Sequence, residues 1–410
     1  VDNKAGNNFN GGAISITPEF GYTHSTSTDC ILIDECIFSG NNATDANAIF
    51  VDKAPKTDLI ITNNCKFIDN TDKLSNQSTV MCETRKLEVD DSLFDFSSLS
   101  KSCNAITTNS STVVLEGTQF YRCLVPRNIQ GSCLFIKEST KTANIISCQF
   151  IDNGNNNFGS VIYTEASSFS FSYSEISFSK LDVSDRGIYI PYVCNFYIGN
   201  SNFQRCEVLQ NNNGASFFYE GIRRTSHNEN IILENIHFNN NSCNYASCFY
   251  MKPSTVPKLK NLTVENHQTG NFVIVIIFQV KVREDIIVEK CTFDNNLRNL
   301  SSERIPDCGG SGLWIACANK SNGYLESYRL MFHQCNFQNN NNNYCGGAFS
   351  YGYSPTLRYI FLDFNECTFT NNTCEGQIGG ALSFNGQVPV TISKSYFKNN
   401  KCNSDNYRGH

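Results

Sequence analysis

The sequence predicts an all-β protein in which successive repeats stack as the coils of a parallel β-helix, or β-solenoid. Three observations predict this fold. A Phe-containing motif recurs about every 30 residues, the surrounding stretches alternate apolar and polar residues, and clusters of Asn, Gly and Ser separate them. One repeat is visible in "CNFQNNNNNYCGGAF" (335–349), where an asparagine run lies between a Phe motif and a Gly-Gly motif and is predicted to be a lengthened turn between two strands of one coil.

The Phe motif is a Phe followed three residues later by Asn, written FxxN. Intact copies begin at Phe38, Phe67, Phe150, Phe238, Phe293, Phe337, Phe369 and Phe397. Weaker copies keep an apolar residue at the same phase and lose the Asn: Phe94, Phe120, Phe178, Phe203 and Val264. A fixed period of roughly 20 to 50 residues is typical of stacked repeats, and these 13 phases fit it.

A second motif lies between successive Phe sites, with clear copies in "GGAISI" (11–16), "GGAFSY" (346–351) and "GGALSF" (379–384). A third stretch, as in "DIIVEKCTF" (285–293), alternates apolar and polar residues on the way into the Phe. Alternation with period two indicates strands, and no stretch shows helical periodicity. Each repeat therefore contains two or three short strands, and helix should be nearly absent.

The strands of one repeat cannot bury their own apolar side, but stacked repeats can. We predict about 13 coils of about 30 residues, each strand pairing with its equivalent ~4.8 Å away. Inward Asn at the turns should bond backbone groups that the bends leave unpaired, and Gly-Gly should permit a sharp corner. One buried column should contain Phe67, Phe150, Phe293, Phe337, Phe369 and Phe397.

The paired "GGA" and FxxN motifs resemble those of the polymorphic outer membrane protein (Pmp) repeats, which occur in chlamydial surface proteins and in large surface proteins of protists. The likeness covers nearly the whole chain, because eight FxxN copies interleave with three intact "GGA" copies. The resemblance implies a right-handed β-helix, exposure at the cell surface, and a role in adhesion or surface architecture. It carries over no catalytic residue.

Composition sets further expectations for the 410 residues, which the unbroken period assigns to one domain, 1–410. The net charge is −6 with both signs interspersed, so no nucleic-acid partner is expected. The most apolar run, "FVIVIIF" (272–278), is too short to span a membrane and is predicted to be a buried strand. The chain begins without Met and inside a repeat, which suggests a processed form or a segment of a longer array.

The 20 cysteines show no spacing typical of zinc ligands, and neither metal nor cofactor is expected. Several occupy equivalent phases in adjacent coils, where Cα atoms ~5 Å apart permit a disulfide. The named predictions are Cys374–Cys402 and Cys308–Cys345. For Cys36–Cys65 and Cys335–Cys367, a disulfide and a stack of buried free thiols are both open.

Eight N-glycosylation sequons point to secretion, and with the cysteines they predict an extracellular or cell-surface location. Their asparagines are Asn42, Asn76, Asn109, Asn240, Asn261, Asn299, Asn319 and Asn371.

An enzyme is the alternative class of function, because β-helices also host polysaccharide lyases and hydrolases, whose sites need converging carboxylates. The candidates are Asp72 in "NTD" (70–72) and Asp91 in "VDD" (89–91). The Gly-His-Gly that would follow in such hydrolases is missing, and "RGH" (408–410) lies far away. Trp314 and the tyrosines could stack on sugars, but aromatic residues in strands are more often core. We therefore expect no enzymatic activity.

Three functions are carried forward: a structural or adhesive surface glycoprotein, a module that binds glycans or host proteins, and, least favoured, a polysaccharide-active enzyme. The leading hypothesis also includes end-to-end association of the protein with itself. Residues 397–410 and 7–16 look like complementary halves of one repeat, which predicts a longer array or a head-to-tail filament.

Overall fold

The computed structural model consists of parallel β-strands and contains no α-helix in the residues it describes. The described ranges are 12–17, 29–43, 46–70, 78–99, 103–125, 131–154, 160–178, 186–192, 195–208, 216–222, 229–243, 246–269, 272–278, 284–298, 313–317, 328–343, 346–351, 360–375, 379–384 and 388–403. The chain forms two compact units, unit 1 (Val1–Asn195) and unit 2 (Phe196–His410). Each is built from stacked coils, and the predicted β-solenoid fold is confirmed.

In unit 1 the strands of successive coils form three ladders, called columns A, B and C in chain order. Column A is formed by Ile14–Ile16, the first part of Ala46–Thr62, the first part of Ser78–Asp90, Asn104–Thr108, Leu134–Ile136, Ser160–Thr164 and Arg186–Tyr192. Column B is formed by Asp29–Asp34, the second parts of Ala46–Thr62 and Ser78–Asp90, Thr112–Glu116, Thr142–Ile146 and Ser168–Ser172. Column C is formed by Ile37–Ser39, Lys66–Ile68, Leu93–Asp95, Gln119–Tyr121, Gln149–Ile151 and Glu175–Ser177.

Unit 2 repeats these columns and adds a fourth, column D. Column A is formed by Phe217–Ile222, Ala246–Met251, Phe272–Phe278 and Leu313–Cys317, with a separate pair, Phe349–Tyr351 and Leu382–Phe384. Columns B and C share Asn195–Gln204, Ile231–Asn239 and Lys258–Glu265. Column B continues through Ile286–Glu289, Tyr328–His333, Ile360–Asn365 and Val390–Ser393. Column C continues through Thr292–Asp294, Asn336–Gln338, Thr368–Thr370 and Tyr396–Lys398. Column D is formed by Glu207–Val208, Ser242–Cys243, Gln268–Thr269, Leu297–Arg298, Asn341–Asn342, Thr373–Cys374 and Lys401–Cys402.

The inward residue of column C is the repeat Phe, and its rings stack from coil to coil. In unit 1 the ring centroids of Phe67 and Phe94 are 4.5 Å apart, and in unit 2 those of Phe337 and Phe369 are 4.9 Å apart. Five of the six rings predicted to be buried are so: Phe67, Phe150, Phe293, Phe337 and Phe369.

Two predictions about this column are wrong. Phe397 stacks on Phe369 at 4.6 Å but remains 44% exposed, because no described coil covers its other face. At the sixth phase of unit 1 the register pairs Phe150 with Ile176, so Phe178 does not occupy the column. Ile176 is fully buried in its place.

The coils are less uniform than a period of about 30 residues suggests. The step from Phe94 to Phe120 is 26 residues, whereas that from Phe293 to Phe337 is 44. The extra length lies between strands, where it does not disturb the parallel register. The sequence predicts about 13 coils in one continuous rod. That total, the single domain and the right-handed sense of the coils stay predictions.

Both ends of the column C strands are sharp corners built on residues with positive φ. The BC corner lies three residues before the inward column C residue, at Glu35, Asn64, Asp91, Gly117, Ser147 and Tyr173 in unit 1 and Asn200, Asn235, Asn261, Lys290, Gln334, Glu366 and Lys394 in unit 2. The second corner is called the CA corner in both units, although column D follows it in unit 2. It lies two residues after the inward column C residue, at Gly40, Asp69, Arg122, Asp152, Arg205, Asn240, Asn266, Asn295, Asn339, Asn371 and Asn399. Their φ values run from 43° to 64°, a region that Asn and Gly adopt at least cost.

The Asn of the FxxN motif follows the CA corner and forms a buried ladder. The Asn340 Oδ1 accepts hydrogen bonds from the backbone N and the Nδ2 of Asn296 at 3.2 and 3.0 Å. The Asn340 Nδ2 donates to the Phe293 carbonyl at 2.9 Å and to the Asn372 Oδ1 at 3.0 Å. Backbone groups that the bend leaves unpaired are therefore satisfied by the next coil, as predicted.

The run of five asparagines at 339–343 serves this corner. Asn339 takes the positive φ, Asn340 joins the ladder, and Asn341–Asn342 form a column D strand. The run was predicted to be a lengthened turn, but part of it is a short strand.

The Gly-Gly motif forms the corner before column A, as predicted. Gly379 has a φ of 71°, and a Cβ on Gly380 would lie 2.6 Å from the Lys401 backbone N. The following Ala381 is buried. The first Gly therefore supplies the left-handed conformation, and the second permits close approach of two backbones.

Candidate functional site

The sequon asparagines fall into three groups. Asn240, Asn261 and Asn371 are exposed at positive-φ corners. Asn42 and Asn109 are half-buried, and the Asn109 Oδ1 accepts a hydrogen bond from the Ser139 hydroxyl. Asn76, Asn299 and Asn319 lie outside the described residues.

Sequence reasoning did not separate the two asparagines of a sequon such as "NNT" (371–373). The structure places Asn371 outside the coil and Asn372 inside, where its Nδ2 donates to the Phe337 carbonyl at 2.9 Å. A glycan needs an Asn that points away from the core, so in "NNT" only the first Asn is in a suitable position.

The cysteine candidates also divide by position. Cys374 and Cys402 lie directly opposite each other in column D, the first buried and the second exposed. Their disulfide stays a prediction. Cys308 and Cys345 lie outside the described residues. Cys36–Cys65 and Cys335–Cys367 lie at the corner between columns B and C, and their four residues are thiols in the structure.

Of the two acidic candidates, the structure describes only Asp91, so it does not test them as a catalytic pair. Asn70 of "NTD" belongs to the buried Asn ladder, where its Nδ2 donates to the Phe38 carbonyl at 2.9 Å. Asp91 is an exposed BC corner residue, and Asp72 lies outside the described residues, as does "RGH" (408–410). Partial burial and the neighbouring Asp91 and Glu88 raise the pKa of Asp90 above its ordinary value.

Tyr163 and Tyr250 of column A do not form an open sugar platform. Tyr163 is 4% exposed and packs edge-on against Phe135 and Tyr189, with centroid distances of 5.2 Å to each. In unit 2, Tyr250 is also 4% exposed and stacks on Phe218 at 5.2 Å. Both faces of these strands are therefore buried, as expected of core rather than of a binding surface. The side chain of Trp314 lies outside the described part of the structure.

The outer face of column C in unit 2 carries a regular row of small polar side chains. Thr263, Thr292, Asn336 and Thr368 lie side by side in register, one per coil, and all are half-exposed. On the other side of the Phe, the Gln338 Nε2 donates to the Asp294 Oδ2 at 2.7 Å. Sequence reasoning missed this row, although the residue before each repeat Phe would have shown it.

Two buried titratable residues were also missed. His267 takes the ladder position after Val264, and its Nε2 lies 3.2 Å from the Phe238 carbonyl oxygen. Burial is the main cause that lowers the pKa of His267 to about 4, so the ring is neutral near pH 7.

The second is Glu229, whose carboxylate holds a loop in place. Its Oε2 accepts hydrogen bonds from the backbone N of Ser254 at 2.6 Å and of Thr255 at 2.8 Å, and its Oε1 is hydrogen-bonded to the Tyr219 hydroxyl. The Ser254 and Thr255 hydroxyls also donate to this Oε2, at 2.6 and 3.3 Å, so the carboxylate is bound by groups of its own chain. Glu229 therefore clamps its own loop.

Within the described ranges, no group of three His, Cys, Asp or Glu side chains is placed to hold a metal ion. The same part of the chain contains no helix long and apolar enough to cross a membrane.

Comparison with known proteins identifies no relative. No protein-family profile, no curated protein and no solved structure matches the chain. The resemblance to Pmp-type repeats accordingly stays a prediction.

Proposed function

We propose that the protein is a non-catalytic structural or adhesive glycoprotein of the cell surface or extracellular matrix, built from Pmp-type repeats. The observation that carries the proposal is that the residues of the repeat motifs make contacts between coils. Phe337 stacks on Phe369, Asn340 bonds Asn296 and Asn372, and Gly380 permits a close backbone approach. The residues that recur through the chain thus make the contacts between coils, as expected of a scaffold.

The exposed sequon asparagines support the extracellular part of the proposal. Asn240, Asn261 and Asn371 lie at corners, where an attached glycan would project from the coils without displacing core residues. A predicted disulfide between Cys374 and Cys402 would cross-link two neighbouring coils.

Expression in a secreting eukaryotic cell tests the proposal, with the intact mass measured before and after amidase treatment. We expect Thr373→Ala to lose the glycan of Asn371, whereas Thr373→Ser, which keeps the sequon, should retain it. A wild-type mass that amidase leaves unchanged would remove the support for a glycoprotein.

End-to-end association of two copies extends the proposal. The last described coil of unit 2 exposes Phe397 (44%) and Ile392 (46%), which continue the buried rows of Phe369 and Phe364. In the first described coil of unit 1, the buried Asn41 Oδ1 has no hydrogen-bond partner among the described residues, whereas in later coils the equivalent oxygen accepts from the preceding coil. A further coil, belonging to a second copy or to a longer array, would supply both the apolar cover and the donor.

Particle lengths in electron micrographs test this association. Phe397→Asp should shorten any filaments to single particles, whereas Tyr396→Asp, on the outward side of the same strand, should leave them unchanged. Single particles of uniform length in the wild type would contradict the association.

A glycan-binding module is the second candidate, and the polar row on column C of unit 2 favours it. Thr263, Thr292, Asn336 and Thr368 present hydroxyl and amide groups without Lys, Arg or a large apolar side chain among them. Such a row suits a neutral hydroxylated polymer better than a charged one. A glycan array would test it, since loss of a signal in Thr292→Lys would place the binding on this face.

A further inference from the structure

A second ladder runs parallel to the Asn ladder, at the position two residues before the inward residue of column C. In most coils this position holds Cys, Ser or Thr. The residues are Cys36, Cys65, Ser92, Thr118, Cys148 and Ser174 in unit 1, and Ser201, Cys291, Cys335, Cys367 and Ser395 in unit 2. Ile236 and Leu262 are the two exceptions. We call this set the thiol–hydroxyl column.

Thiols and hydroxyls make the same hydrogen bonds in this column. The Cys148 Sγ donates to the Ile146 carbonyl, two residues earlier, at 3.3 Å. One coil later, the Ser174 Oγ donates to the Ser172 carbonyl at 2.8 Å. The longer distance is the one expected when sulfur replaces oxygen as the donor.

Several members also donate to the preceding coil. The Cys367 Sγ lies 3.3 Å from the Phe332 carbonyl oxygen, and the Ser395 Oγ lies 3.2 Å from the Phe364 carbonyl oxygen. Phe332 and Phe364 are equivalent residues of successive coils. The same donor position therefore serves the same acceptor position, whether it is Cys or Ser.

Several members also accept a hydrogen bond from the coil before them. The backbone N of Cys36 donates to the Cys65 Sγ at 3.4 Å, and that of Cys148 donates to the Ser174 Oγ at 3.0 Å. The sulfur or oxygen thus bonds one N–H and at least one carbonyl at a corner where strand pairing is interrupted. This arrangement satisfies backbone groups that would otherwise be buried without partners.

We infer that the six cysteines of this column are permanent thiols in the folded protein and act as hydrogen-bond donors between and within coils. They are Cys36, Cys65, Cys148, Cys291, Cys335 and Cys367. Of the two alternatives left open for Cys36–Cys65 and Cys335–Cys367, this inference selects the thiols. Cys374 and Cys402 belong to column D, so their predicted disulfide is not affected.

The chemistry of oxidation explains the choice. A disulfide between Cys335 and Cys367 would release both S–H protons and pass two electrons to an oxidant. The Val288 and Phe332 carbonyls, which these thiols bond at 3.2 and 3.3 Å, would then lose their sulfur donors inside the coil. Losing these hydrogen bonds inside the coil is unfavourable, so the ladder disfavours the disulfide.

Cys148 shows that the position does not require a disulfide. Its neighbours in the column are Thr118 and Ser174, which offer no thiol, yet it makes the same bond as the other members. Burial raises the pKa of Cys148 to about 12. Hydrogen bonding to Cys335 and burial likewise raise the pKa of Cys367. Because the thiolate is the reactive form, such thiols resist oxidation.

The decisive experiment is a thiol map of the full chain. Protein secreted from cells and purified without reductant is unfolded in N-ethylmaleimide, digested and analysed by mass spectrometry. We expect all six column cysteines to carry the maleimide. Peptides joined through Cys36–Cys65 or Cys335–Cys367 would overturn the inference.

A stability comparison provides a second test that does not depend on the map. Cys335→Ser should melt at the temperature of the wild type, because the hydroxyl makes the same bonds, whereas Cys335→Ala should melt a few degrees lower. Equal losses in both variants, together with a wild type that melts lower in a reducing agent, would show a disulfide. This inference rests on the ladder alone, so it fails or holds independently of glycosylation and location.

Discussion

Replacing Asn340 with Ala is expected to destabilise unit 2 by on the order of 4 kcal/mol, because four hydrogen bonds of one buried side chain are lost. A net contribution of about 1 kcal/mol for each bond gives this figure. The partners left behind, among them the Asn296 backbone N and the Phe293 carbonyl, are themselves enclosed and cannot recruit water without opening the corner. The stated loss is therefore a lower estimate.

Asn339 supplies a matched control, since it is the same residue type one position earlier. It is exposed, has a φ of 53°, and its Nδ2 makes one surface hydrogen bond to the Asp294 Oδ1 at 2.9 Å. Asn339→Gly keeps the left-handed corner and should cost less than about 1 kcal/mol.

Urea unfolding followed by circular dichroism measures both variants. Asn340→Ala should lower the midpoint strongly with little change in the slope, and Asn339→Gly should lower it slightly. Asn296→Ala should behave as Asn340→Ala does, because it occupies the preceding rung of the ladder. Equal and small shifts for Asn340→Ala and Asn339→Gly would refute the claim that the buried ladder holds the coils together.

Three further predictions follow from the same geometry. The folded-state pKa of His267 is lowered to about 4 from 6.5, so its contribution to stability should be complete above pH 6.5 and be lost as the pH falls towards 4. His267→Asn should remove this acid sensitivity in urea titrations, while the Asn keeps the ladder. Tyr173→Asn should raise the melting temperature, since a 65% exposed Tyr there adopts a φ of 51°, whereas Tyr121→Asn, outside the positive-φ corners, should not. Phe337→Ala should cost roughly 3–5 kcal/mol through loss of stacking on both neighbouring rings, and a loss below about 1 kcal/mol would contradict the stacked core.

The repeat motifs made the fold predictable from the sequence. Phe337 and Asn340 recur with the coil because each must match its equivalent in the next coil, so their period appears directly in the sequence. The strand columns, the Gly-Gly corner and the Asn ladder all followed from this matching.

The register error at Phe178 has a physical cause. The inward position is fixed by the corner before it, where Tyr173 has positive φ and Ser174 joins the thiol–hydroxyl column. Ile176 lies three residues after Tyr173 and therefore takes the inward position. Phe178 was predicted because it is the Phe nearest to the expected phase. Reading the Ser or Cys two residues earlier, as well as the Phe, would have found the correct register.

Other features could not be predicted because no single residue type marks them. The positive-φ corners are occupied by residues as different as Glu35, Lys290 and Asn371, so backbone geometry is conserved between coils while the side chain varies. His267 escaped notice because it replaces Asn in the ladder with a different side chain that reaches the same carbonyl. Tyr163 and Tyr250 of column A were recognisable as aromatic strand residues, but the repeat pattern did not show that both are buried.

Hydrogen exchange of the asparagine side-chain amides is the most direct test of the central claim. The claim is that the residues of the repeat motif form ladders between the coils. In 15N-labelled protein, the Nδ2 protons of Asn340 and Asn372 should be protected for as long as the backbone amides of column C, since both groups are released only when the coil opens. Those of the exposed Asn339 and Asn371 should exchange at once. Equally rapid exchange of all four side chains would contradict the account.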